Sequence, residues 1–190
     1  KDGYMQGQGT KTLSHGQIRS GEFKFNKLNG QGTQIFIDGS IYEGEWINGL
    51  AHGYGTYDVK GELGYKYEGE WKFDFKNGQG IQIGNNGYVY EGEFVDSNFS
   101  GYGKFTDNVR IYEGEMKNNL FSGFGKITYL DNGTKYEGEF LDDWAHGNGT
   151  FTWPDGQKYK GEFFDSLFHG KGVMSYPNGE KYVGDFKDDL

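Results

Sequence analysis

Tyr42-Glu43-Gly44-Glu45-Trp46 decides the fold, because the chain keeps returning to it. The copies are Tyr67-Glu68-Gly69-Glu70-Trp71, Tyr90-Glu91-Gly92-Glu93-Phe94, Tyr112-Glu113-Gly114-Glu115-Met116, Tyr136-Glu137-Gly138-Glu139-Phe140 and Tyr159-Lys160-Gly161-Glu162-Phe163. Weaker copies stand at Arg19-Ser20-Gly21-Glu22-Phe23 and Tyr182-Val183-Gly184-Asp185-Phe186. Successive starts lie 23, 25, 23, 22, 24, 23 and 23 residues apart. A period of this size marks a repeat architecture.

A second signal is locked to the first. Nine residues after each unit's own glycine a Gly-x-Gly pair begins, as at Gly53/Gly55, Gly78/Gly80, Gly101/Gly103 and Gly147/Gly149. All variation in repeat length therefore falls after this pair, where Asp38-Gly39, Asn86-Gly87, Asn132-Gly133, Asp155-Gly156 and Asn178-Gly179 mark turns. Such dipeptides favour the positive φ angles of tight hairpins.

Each repeat thus reads as strand, short loop, strand, turn, with strands of four to six residues and no room for a helix. Consecutive hairpins pairing edge to edge give an all-β, single-layer antiparallel meander. At about 4.8 Å per strand it forms a right-handed twisted ribbon about 75–80 Å long. Period two puts the Tyr, the middle Gly and the Trp or Phe on one face, and both Glu on the other. A strand glycine costs roughly 0.5–1 kcal/mol against alanine, so its regular use implies a compensating contact: rings lying across the bare backbone. The glycines expected to do this are Gly44, Gly53, Gly55, Gly69, Gly78, Gly80 and Gly92, followed by Gly101, Gly103, Gly114, Gly138, Gly147 and Gly149.

Composition agrees with that reading. Of 190 residues, 35 are glycine, and Phe, Tyr and Trp together equal that number. There is no cysteine, which removes disulfides and thiolate metal sites, and a reducing, cytoplasmic setting is the default. No apolar run approaches the length of a membrane-spanning helix. The net charge of −9 disfavours nucleic acid and anionic lipid, both of which call for clustered Lys and Arg. Lysines such as Lys158/Lys160 and Lys181/Lys187 look scattered.

The pattern resembles the MORN-repeat family (membrane occupation and recognition nexus), whose unit is close to Tyr-Glu-Gly-Glu-Trp, a short loop, His-Gly-x-Gly, a strand and Asp-Gly. The resemblance covers essentially the whole chain. Even the histidine is present in His52-Gly53-Tyr54-Gly55, His146-Gly147-Asn148-Gly149 and His169-Gly170-Lys171-Gly172. Departures are local: Arg19-Ser20 replaces Tyr-Glu, Met116 replaces a ring, residues 58–66 carry an insertion, and 107–110 are one residue short. The expected organisation is one array over 1–190: a partial repeat at 1–18, repeats at 19–41, 42–66, 67–89, 90–111, 112–135, 136–158 and 159–181, and the start of another at 182–190. Both ends read as cuts through a longer array.

No chemistry rises above the repeat. The two Glu of each unit sit about 6.5–7 Å apart, as in a glycosidase, but an active site is normally one departure from a repeat and not its consensus. The second Glu is expected to accept hydrogen bonds that fix register. His52, His146 and His169 occupy equivalent slots too far apart for one metal and are expected to bond backbone at a turn. Gly123-Phe124-Gly125-Lys126 has neither the spacing nor the helix of a phosphate loop. The expectation is therefore a non-enzyme with no catalytic residue, no metal and no cofactor.

The aromatic stripe is the candidate for binding. A single layer cannot cover both its faces, so Tyr42, Trp46, Tyr67, Trp71, Tyr90 and Phe94, then Tyr112, Tyr136, Phe140, Tyr159 and Phe163, are expected to line an open groove for a partner helix or peptide. Phe73, Phe75, Phe99, Phe121, Trp144, Phe164 and Phe168 are further candidate contacts. The acidic surface favours a basic or amphipathic partner segment. Free edge strands favour a homodimer through a terminal repeat. The resemblance implies a scaffold in cytoskeletal or membrane-associated assemblies. The alternative it implies is a phosphoinositide-binding module or the regulatory array of a lipid kinase, and the charge makes phospholipid binding weak or absent.

Overall fold

The computed structural model describes residues 3–189. Sixteen strands follow one another in a single antiparallel sheet, each beside its sequence neighbours. They are β1 (Gly7–Thr12), β2 (Ile18–Lys24), β3 (Lys27–Ile35), β4 (Ile41–Ile47), β5 (Leu50–Val59), β6 (Tyr65–Lys72), β7 (Phe75–Gly84) and β8 (Val89–Val95). The series continues with β9 (Asn98–Thr106), β10 (Arg110–Lys117), β11 (Leu120–Tyr129), β12 (Lys135–Leu141), β13 (Trp144–Thr152), β14 (Lys158–Phe164), β15 (Leu167–Ser175) and β16 (Lys181–Phe186). No helix occurs among the described residues. The chain packs as two compact units, Lys1–Asn98 and Phe99–Leu190.

The strands run to six to ten residues, longer than the four to six expected. The extra length comes from the presumed loop inside each repeat, which shrinks to two residues. Asp142 (φ 47°) and Asp143 (φ 74°) form such a turn, as do Phe73 and Asp74, and Asp165 and Ser166. Positive φ at both positions matches the right-handed twist of the flanking strands. The Asp-Gly and Asn-Gly turns are the looser ones. Only their glycine turns left-handed, as at Gly156 (φ 92°), while Asp155 Oδ1 accepts from the Gln157 amide at 2.9 Å.

Burial in β12, Lys135–Leu141, alternates strictly: Tyr136, Gly138 and Phe140 are buried, and Lys135, Glu137, Glu139 and Leu141 are exposed. A glycine line crosses the sheet at its middle, pairing Gly21, Gly32, Gly44, Gly55, Gly69 and Gly80 in the first unit. Gly114, Gly125, Gly138, Gly149, Gly161 and Gly172 do the same in the second. The Tyr rings lie over this line: a Cβ on Gly149 would stand 2.4–2.6 Å from the Tyr136 ring. That contact offsets the cost of glycine in a strand.

Candidate functional site

Each repeat is built by three contacts. The first is the ring relay. Tyr67 meets Trp71 of its own strand edge-on at 5.3 Å and Phe94 of the next repeat at 4.9 Å. Tyr136 meets Phe140 at 5.1 Å and Phe163 at 4.8 Å. Edge-to-face rings at these separations gain beyond their area burial. The Tyr hydroxyl is satisfied within its own strand, Tyr67 Oη donating to the Glu70 carbonyl at 2.8 Å and Tyr136 Oη to the Glu139 carbonyl at 2.8 Å. Burial holds the phenol pKa of Tyr42, Tyr67, Tyr112 and Tyr136 well above its ordinary value.

The second contact belongs to the second Glu. Its carboxylate folds over the first glycine of Gly-x-Gly and accepts from the following amide: Glu45 from Tyr54 at 2.9 Å, Glu139 from Asn148 at 2.8 Å, Glu162 from Lys171 at 3.0 Å. The glycine is left-handed there (Gly53 φ 67°, Gly147 φ 59°), and a Cβ on Gly147 would meet the Glu139 carboxyl at 2.7 Å. Register shifts at Gly138/Glu139 and Gly161/Glu162 mark the same bulge. The expected register-fixing role of this Glu is therefore realised. Gly78 and Gly101 are left-handed in the same slot, while Gly92 pairs with Gly80 and Gly103 with Gly114 on the central line.

The third contact was not foreseen. Where the second residue of the two-residue turn carries a short acceptor side chain, it bonds the preceding hairpin in both directions, whereas Gly49 only donates its amide to the Leu28 carbonyl. Asp74 donates its amide to the Ala51 carbonyl (2.9 Å) and accepts the Ala51 amide on Oδ1 (2.7 Å). Ser166 does this with Ala145, and Asp189 with Phe168. The signal was in the sequence: Asp74, Ser97, Asn119, Asp143, Ser166 and Asp189 share one repeat slot and all can accept through a short side chain.

The open aromatic groove does not hold for the rings assigned to it. Tyr42, Trp46, Tyr67, Trp71, Tyr90, Phe94, Tyr112, Tyr136, Phe140, Tyr159 and Phe163 are all buried, because each ring is closed over by the glycine line and by the ring of a neighbouring strand. Of the further rings, Phe121 is buried and stacks on Tyr112 at 3.8 Å, and the partly exposed Phe168 stacks on Tyr159 at 4.1 Å. Phe73, Phe75, Trp144 and Phe164 are about half exposed. They stand at the two-residue turns on the face opposite the rings, where Ile47/Leu50, Leu141/Trp144 and Phe164/Leu167 are the closing cross-strand pairs. The result in each unit is an exposed apolar ladder along one edge.

The histidines correct a second expectation. Nδ1 of His52, His146 and His169 is buried without a hydrogen bond, so these rings are not tied to backbone. They lie against Phe rings instead, His52 on Phe73 at 4.9 Å and His146 on Phe164 at 5.3 Å, with Asp165 3.9 Å from His146. Among the described residues no group of His, Asp and Glu side chains converges as a metal site.

One repeat carries a buried cation where others carry Ala, Leu or Phe. Lys76, 6% exposed, donates to Gln82, which in turn donates to Tyr88. Its ammonium lies 4.2 Å from the Tyr65 ring centre and 5.3 Å from that of Tyr67. Desolvation lowers its pKa to about 8.

Seven consecutive copies of the MORN repeat model match residues 20–41, 42–61, 67–87, 90–108, 112–134, 136–158 and 159–181. The chain belongs to the MORN-repeat family. MORN is a non-catalytic repeat module of protein and membrane interaction. By sequence, no curated protein matches this MORN array significantly. Among solved structures it is similar to the TCP domain of Drosophila melanogaster SAS-4 in complex with a proline-rich motif of Ana2. Identity is 12%, coverage 94% of this chain and 90% of that one, and the TM-score 0.34. The TCP10 domain of Danio rerio CPAP matches at 13% identity, 93% and 94% coverage and TM-score 0.33. Virginiamycin B lyase of Staphylococcus aureus matches at 16% identity, 94% and 69% coverage and TM-score 0.19.

Proposed function

We propose that this MORN array is a non-enzymatic scaffold in the cytoplasm, holding a protein partner within a cytoskeletal or membrane-associated assembly. The observation that carries this reading is the exposed apolar ladder. The rings that build the core are buried, yet each unit leaves Ile, Leu, Phe or Trp side chains uncovered at the same repeat position. Regular exposed apolar positions of this kind mark interaction surfaces. Asp96, Asp142 and Asp165 stand at the adjoining turns, so the ladder suits an amphipathic segment with basic flanks. Self-association through a terminal hairpin is part of the reading, since β1 and β16 stand at the ends of an open sheet.

The test is affinity capture from a cell extract with the full-length protein, followed by cross-linking to locate the contacted repeats. The double variant Trp144→Glu/Phe164→Glu should keep its melting temperature and lose the captured partner. Capture unchanged by this variant, or cross-links confined to other surfaces, overturns the ladder as the docking site. Sedimentation across a concentration series tests self-association.

A further inference from the structure

The lysines that look scattered in sequence are gathered on one face of the second unit. Strand register places Thr128, Lys135, Thr152, Lys158, Ser175 and Lys181 opposite one another in a continuous row across β11 to β16. One lysine therefore recurs every second strand, about 10 Å apart, with a hydroxyl between. Two residues further along the strand, on the same face, the repeat's own rule is broken: the first Glu, constant from Glu43 to Glu137, becomes Lys160. Beside these rows runs an open trough of about 980 Å³. Lys158, Lys160 and Lys171 line it together with Thr150, Phe124 and Val173. No carboxylate of the described residues lies within ion-pair reach of Lys135, Lys158, Lys160 or Lys181, and Lys171 has only the exposed Asp185 at 3.3 Å. In a chain of net charge −9 this is a local reversal of sign.

We propose that this trough binds an extended acidic peptide of a protein partner, with a carboxylate at every third residue. The spacing selects the conformation. In a polyproline II helix every third residue returns to the same side after about 9.3 Å, close to the lysine repeat. In a β-strand, residues three apart face opposite sides. In an α-helix the nearest match, seven residues, spans about 10.5 Å, and positions i+3 and i+4 on the same face fall between successive lysines. Phe124, Val173 and Val183 give the apolar side of such a peptide a surface inside the trough. A peptide enters a concave channel that a flat bilayer would bridge.

This inference does not rest on the apolar ladder, which lies along the turn edge, and its test leaves the ladder intact. The whole chain is titrated calorimetrically at low salt with a synthetic peptide of four tandem Glu-Pro-Pro units. The controls are a peptide of equal composition with its glutamates contiguous, and vesicles containing phosphatidylserine. The spaced peptide should bind saturably, weaken as salt rises, and bind better than the contiguous one. The triple variant Lys135→Glu/Lys158→Glu/Lys181→Glu should weaken it at least about tenfold, three exposed charge contacts each contributing modestly. The Lys→Gln triple variant, melting like the parent, should show a smaller loss in the same direction. Absence of binding, equal binding of both peptides, insensitivity to both triple variants, or preference for vesicles each overturns the proposal.

Discussion

Asp143 and Phe121, 22 residues apart, exchange two hydrogen bonds: the Asp143 amide donates to the Phe121 carbonyl at 2.9 Å, and the Phe121 amide donates to Asp143 Oδ1 at 2.7 Å. The turn of one repeat is thereby pinned to the start of a strand in the previous one. Removing the carboxylate leaves the Phe121 amide unpaired and puts alanine in a left-handed conformation. Asp143→Ala should destabilise by about 1–3 kcal/mol. Asp143→Asn, which keeps the acceptor and tolerates that φ, should lose far less. Urea melts and hydrogen exchange at the Phe121 amide check this; slow exchange surviving in the alanine variant would refute the staple.

Gly138 faces Gly149 with no room for a side chain. A Cβ there would stand 2.5 Å from the Gly149 Cα and 2.5 Å from Tyr136 Oη. Gly138→Ala should cost at least about 2 kcal/mol, because backbone and a buried ring would have to move. Gly9→Ala is the internal control: its nearest neighbour is Phe23 Cδ2 at 3.8 Å, and the change should stay within about 0.5 kcal/mol. Similar midpoints for the two variants would discard the ring-over-glycine argument.

Glu139 is used for its oxygen and not for its charge. It accepts the Asn148 amide at 2.8 Å, which a Gln side chain can also do. Glu139→Gln should melt within about 0.5 kcal/mol of the parent, whereas Glu139→Ala should cost about 1–2 kcal/mol by stranding that amide. Equal losses in both variants would point to an electrostatic role instead.

Lys76 destabilises the fold while it is charged. Its pKa falls from 10.5 unfolded to about 8 folded through desolvation. The unfolded chain therefore binds more protons between about pH 8 and 10.5, and stability contributed at this site rises with pH across that window. Below pH 8 the penalty is present in full. Lys76→Met should therefore stabilise the protein at pH 7, by on the order of 2 kcal/mol, with the Tyr65 and Tyr67 contacts of the cation offsetting part of the gain. The difference between variant and parent should shrink from pH 8 to 10 in parallel denaturant melts. A constant difference across that range would mean that Lys76 titrates normally. Comparing the two proteins at each pH cancels the buried tyrosines, which both share.

The sequence by itself determined the all-β meander, the alternation that buries Tyr136, Gly138 and Phe140, and the register role of the second Glu. These follow from a period-two pattern within a strand and a fixed offset between two glycine signals, which act over a few residues. The tertiary structure decided which side of the sheet is open. Whether a ring lies in a groove or under a lid depends on rings of the neighbouring strands: Tyr159 is closed by Phe168 and Phe186, while Trp144 is not closed. The exchange of bonds between Asp143 and Phe121, and the alignment of Lys135, Lys158 and Lys181, likewise exist only once strands are laid side by side. Contacts that cross the sheet are set by pairing, and pairing is a property of two segments together.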